Sequence, residues 1–122
     1  MKSKAIKNIK KSIEELEKAL ADVRDVYVIE LEGKSSVVNR VNYLNYTMLK
    51  VRGMLSTDPL ESFKPVAQMK VTSMIIILSE AANFDDGVLY FGSSPIDKMT
   101  MIRMALIFVI NELKEALKIE EY

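Results

Sequence analysis

The chain has 122 residues, 49% of them hydrophobic and 28% charged, which is the usage of one globular domain rather than of a disordered or fibrous segment. Lys plus Arg and Asp plus Glu balance at 17 each, so no overall field draws the chain to nucleic acid or to an acidic membrane, and any such role needs a local patch. The absence of cysteine and histidine removes disulfides, thiolate metal sites, cysteine nucleophiles, and the commonest metal ligand and general base.

The first residues are rich in lysine, at positions 2, 4, 7, 10 and 11, but no apolar run of signal-peptide length follows. The apolar runs Met74 to Leu78 and Met104 to Ile110 are too short to span a bilayer. A cytoplasmic protein with no membrane partner is therefore expected. Ile6, Ile9, Ile13, Leu16, Leu20, Val23, Tyr27 and Leu31 then recur in threes and fours, the mark of one long amphipathic helix. Within it Val26 to Leu31, VYVIEL, reads as a strand by propensity. The register carried through to Leu31 favours helix. Gly33 suits the left-handed close of a helix, and Lys34, Ser35 and Ser36 read as a short turn with a serine cap. Val37, Val41, Leu44, Met48, Val51 and Leu55 keep the same spacing, so a second helix returns antiparallel to the first.

After Ser56, the residues Asp58, Pro59 and Glu61 imitate a helix start, and Pro65 restarts the chain, leaving Pro59 to Lys64 as one turn at a corner. A third helix is expected over Pro65 to Ala82, then a turn at Asn83 to Gly87 and a short extended piece at Val88 to Phe91. Ser94, Pro95 and Asp97 supply a cap, a first-turn proline and an acid suited to the helix dipole, opening a fourth helix that runs to at least Leu117. The expectation is a single all-α domain over residues 1–122. It is an antiparallel bundle of four main helices, an N-terminal hairpin plus two strongly apolar helices, with at most one short β piece.

The last two helices are apolar over most of their circumference, whereas a four-helix bundle asks each for about one face. The surplus predicts a homodimer through Met74, Ile77, Met101, Met104 and Phe108, in a region where methionines 69, 74, 99, 101 and 104 concentrate; the competing reading of any one of these is core filler. Lys4, Lys7 and Lys11 stand at the N-terminus of the first helix, the wrong sign for its dipole. They read either as a phosphate-contacting arm or as partners of Glu112, Glu115, Glu120 and Glu121, equally misplaced at the far end of the last helix. Arg103 is the one charge within Met99 to Ile110 and needs a carboxylate, for which Glu80 is the candidate; alternatively it joins Arg52 in gripping an anion or a nucleotide phosphate.

Glu14, Glu15 and Glu17 fall on the outer face of the first helix, and Asp85 and Asp86 belong to a glycine turn. With no glycine-rich phosphate loop, no nucleophile elbow and no metal-ligand spacing, no catalytic residue, cofactor or metal is assigned, and no motif is specific enough to name a family. The expectation is a non-enzymatic helical interaction protein, an adaptor, regulator or accessory subunit, that pairs with itself and with another protein. The rivals are a nucleic-acid accessory protein using the lysine-rich start and a small anion- or nucleotide-binding module around Arg103.

Overall fold

A computed structural model describes residues 2–57, 59–82 and 95–121, and these are almost all helical, with no strand among them. The elements are α1 (Lys2–Asp22), α2 (Val26–Glu32), α3 (Lys34–Ser56), α4 (Pro65–Ala82) and α5 (Pro95–Glu121). The expected extended piece at Val88 to Phe91, the Asn83 to Gly87 turn and the Ser94 cap lie outside the described residues. The four long helices form an antiparallel bundle in which α1 packs on α3, α3 on α4, α4 on α5 and α5 back on α1.

Each long helix buries one seam with alternating spacing of threes and fours. The seams are Ala5, Ile9, Ser12, Leu16 and Ala19 on α1, continued by Val23 just past its end, then Val37, Val41, Leu44, Met48, Val51 and Leu55 on α3. On α4 the residues are Ala67, Val71, Met74, Leu78 and Ala81, and on α5 they are Met99, Ile102, Leu106, Val109, Leu113 and Ala116. This is the spacing by which helices packed side by side in a bundle share one core. On α1 small residues alternate with large ones, which lets its neighbours approach closely. The hydroxyl of Ser12 is satisfied by donating to the Asn8 carbonyl at 2.7 Å.

One element departs from the sequence reading. The helix expected to run to Leu31 stops at Asp22, and the chain restarts at Val26 with Asp25 as its cap, whose carboxylate accepts the Val28 N–H at 3.1 Å. The break turns Tyr27 and Leu31 away from the core, leaving them 80% and 88% exposed, while Ile29 takes the buried place. Periodicity alone does not register such a break, because a capped kink leaves the spacing intact. Gly33, with φ 110° and ψ 168°, is the single residue between α2 and α3; α3 starts there without the expected serine cap. That conformation is essentially restricted to glycine.

Candidate functional site

The outer surface of α4 and α5 carries a concentration of exposed apolar side chains on two facing helices. On α4 these are Val66, Met69 and Ile76; on α5 they are Met101, Met104 and Phe108, with Met104 at 64% and Phe108 at 47%. The helices run antiparallel and are clamped by Lys70, which donates to Glu112 at 2.7 Å. From that register, residues 66, 70, 73 and 77 of α4 lie opposite residues 116, 112, 109 and 105 of α5, so Met69 and Ile76 border one side of the groove between the two helices and Met101 and Phe108 the other. Ile77 is half-buried in it. Met74, expected on this face, is instead 3% exposed and belongs to the core seam, because the helical turn places it beside Val71 and Leu78. Met99 is likewise fully buried, so the methionines divide between core and surface.

The termini of α1 and α5 share one pole, with Lys10 bridging Glu121 at 3.5 Å and Lys114 bridging Glu17 at 2.9 Å. The compensation expected between Lys4 and Lys7 and the acids of α5 takes another form. Glu112 is held by Lys70, and Glu120 is buried on the α5 seam, where its Oε1 accepts the backbone N–H of Lys64 at 2.7 Å. Lys64 directly precedes α4, which has no acid in its own first turn, so Glu120 supplies negative charge to the positive end of a different helix. Its wrong sign on α5 is thereby explained. Lys4, Lys7 and Lys11 are exposed on the α1 face opposite the core. None of the three has an ion-pair partner among the described residues.

Arg103 and Arg52 do not converge. Arg52 reaches from α3 toward α4, where its Nη1 lies 3.4 Å from Ser79 Oγ, whereas Arg103 projects from the α5 flank that faces α1. Glu80 is exposed on α4 and is not the partner of Arg103, because α4 packs against the other flank of α5. Arg103 instead lines a cleft of about 270 Å³ with Glu17, Leu20, Ala21, Arg24 and Ile107. Arg24 was not singled out from the sequence. It lies in the break just past the end of α1, where no helical spacing announces it, and the turn of the chain there brings it to the cleft.

A wider cleft of about 510 Å³ lies where α1 ends and α3 begins, lined by Asp22, Val23, Ser36, Asn39, Arg40, Tyr43 and Leu44. Arg40 latches the break after α1 by donating to the Asp22 carbonyl at 3.2 Å and to Glu32 Oε1 at 3.3 Å. Ser36 Oγ donates to the same carboxylate oxygen at 2.8 Å. The Ser36 hydroxyl, followed by the Arg40 guanidinium, holds the Glu32 carboxyl below the usual glutamate range. Every polar contact here closes one segment of the chain on the next.

Glu14, Glu15 and Glu17 remain on the outside of α1, Glu15 bridging Lys50 at 3.6 Å. Among the described residues no three His, Cys, Asp or Glu side chains converge to hold a metal ion, and no helix is long and apolar enough to cross a membrane. No family model matches the chain, and neither a curated protein nor a solved structure is significantly similar to it.

Proposed function

We propose that this chain is an interaction protein without catalytic activity that pairs with a second copy of itself through the α4–α5 face. The observation that carries the reading is the row of Met69, Ile76, Met101, Met104 and Phe108, all large, apolar and exposed beside one groove. Scattered exposed apolar residues need no explanation, but a contiguous face of this kind on a domain with a complete core marks a contact surface. The charged pair at the middle of the face, Lys70 and Glu112, is already closed within the chain. An apolar row around a closed pair can meet its own copy about a two-fold axis, with Glu80 and Glu115 left to the solvated edge. Flexible thioethers suit a groove that must adapt to an identical surface.

Light scattering at tens of micromolar protein is expected to return a dimer, and the double variant Met104→Glu, Phe108→Glu a folded monomer with unchanged helical circular dichroism. A wild-type monomer under these conditions refutes the reading.

A second reading rests on a separate observation. Lys4, Lys7 and Lys11 form one exposed row with no partner among the described residues, a geometry that suits phosphates along a nucleic-acid backbone. Salt-dependent retention on DNA or RNA, lost when these three become glutamate, would favour it.

A further inference from the structure

We infer that the cleft between α1 and α5 is a binding site for a small phosphate-bearing dianion, gripped by Arg24 and Arg103. Arg103 is half-buried, and its Nε is sealed from solvent with no hydrogen-bond acceptor. The rest of the guanidinium makes no hydrogen bond or ion pair among the described residues either, so a half-buried charge beside a cleft is left for an acceptor that comes from outside the chain. Neither Arg24 nor Arg103 has an ion-pair partner among the described residues. The acid that shares the cleft, Glu17, is engaged by Lys114 at 2.9 Å.

The charges decide the ligand class. Glu17 and Lys114 cancel, leaving two guanidinium charges uncompensated around the cleft, which matches the charge of a phosphomonoester near neutral pH. The planar fork of arginine, offering its two Nη groups together, fits two oxygens of one phosphate, a geometry a lysine ammonium does not provide. Leu20, Ala21 and Ile107 form an aliphatic wall. The volume of about 270 Å³ is just below the range of pockets for drug-sized ligands, so the occupant is a phosphate on a short carbon skeleton. The site lies on the flank of α5 opposite the α4 groove, and so stands or falls independently of self-association.

The test follows the arginine Nε–H resonances of the full chain by nuclear magnetic resonance during titration with inorganic phosphate and with glycerol 3-phosphate, at ionic strength held constant with chloride. A saturable shift of the Arg103 signal is expected, with tighter binding of glycerol 3-phosphate because of the aliphatic wall, and a rise in thermal midpoint with either ligand. Arg24→Gln, at an exposed position where folding is unaffected, should weaken binding about tenfold or more through loss of a charge-assisted contact, and Arg103→Gln should abolish it. If Arg103→Gln fails to fold, the Arg24→Gln titration decides. The inference is overturned by no saturation at tens of millimolar phosphate, by an equal response to chloride alone, or by wild-type affinity in folded Arg24→Gln. Weaker binding of glycerol 3-phosphate than of inorganic phosphate would overturn the role given to the aliphatic wall.

Discussion

Replacing Glu120 tests how the two ends of the bundle are joined. Its Oε1 accepts the Lys64 N–H at 2.7 Å, and one residue away Lys64 Nζ donates to the Ile119 carbonyl at 3.2 Å, so the last turn of α5 is tied to the first residues of α4. The carboxylate is 5% exposed, which means water cannot replace it as an acceptor without an opening of the structure. Glu120→Ala removes a charge-assisted hydrogen bond worth about 1.5–3 kcal/mol, strands the Lys64 N–H, and withdraws the negative charge at the start of α4. A total of about 3 kcal/mol follows, equivalent to about 10 °C in thermal midpoint for a domain of this size. Glu120→Gln keeps an acceptor of similar shape and loses only the charge, so about 1 kcal/mol is expected. Glu121→Ala is the control: its pair with Lys10 is exposed at 3.5 Å, and its loss should change stability by no more than about 0.5 kcal/mol. Chemical denaturation of the three variants, with helical signal as readout, checks the order. If Glu120→Ala and Glu121→Ala lose stability equally, the tie between α5 and α4 contributes nothing and the reasoning is wrong.

The remaining predictions concern the joints. Asp25→Ala removes the α2 cap and should cost about 1 kcal/mol, with faster amide exchange confined to residues 26–32; unchanged exchange there would mean that packing of Ile29 alone holds the turn. Gly33→Ala forces a side chain into a φ of 110° and should cost about 1–3 kcal/mol, whereas Gly53→Ala, in the middle of α3 with open space around it, should stabilise by about 0.5–1 kcal/mol in the same melts. The Glu32 carboxyl is lowered in the folded state, so its contribution is present above the usual glutamate pKa and fades as pH falls through the lowered folded value. In Ser36→Ala or Arg40→Gln its titration, followed by carboxyl chemical shift, should move up toward 4.5, and no movement would remove the latch assigned to these residues.

Much of the fold was legible because local rules and packing agree. The seam Val37 to Leu55 is buried as its spacing requires, α4 and α5 begin at Pro65 and Pro95, and Gly33 sits where the chain turns back. On α1 and just past it the expected stripe and the buried residues share Ile9, Ile13, Leu16 and Val23 but differ by the small residues Ala5, Ser12 and Ala19, whose burial no hydrophobicity pattern announces. The break at Asp25 was hidden because the spacing of Tyr27 and Leu31 continues across it. Whether those residues face the core depends on the direction of the axis after the kink, and that is set by Arg40 and Asp22 meeting in space.

The candidate sites divide in the same way. A helix sequence fixes which residues share a face, and it placed Met101, Met104 and Phe108 together and kept Glu14, Glu15 and Glu17 outside. It does not fix which neighbour each face meets. That choice belongs to the cyclic order α1, α3, α4, α5, which sends Arg103 to α1 and Arg24 instead of α4 and Glu80, buries Met74, and turns Glu120 toward Lys64. The physical reason is range. Periodicity, caps and prolines act within a few residues along the chain, while the partner of a buried charge is decided by helices dozens of residues apart that pack only once the whole core has closed.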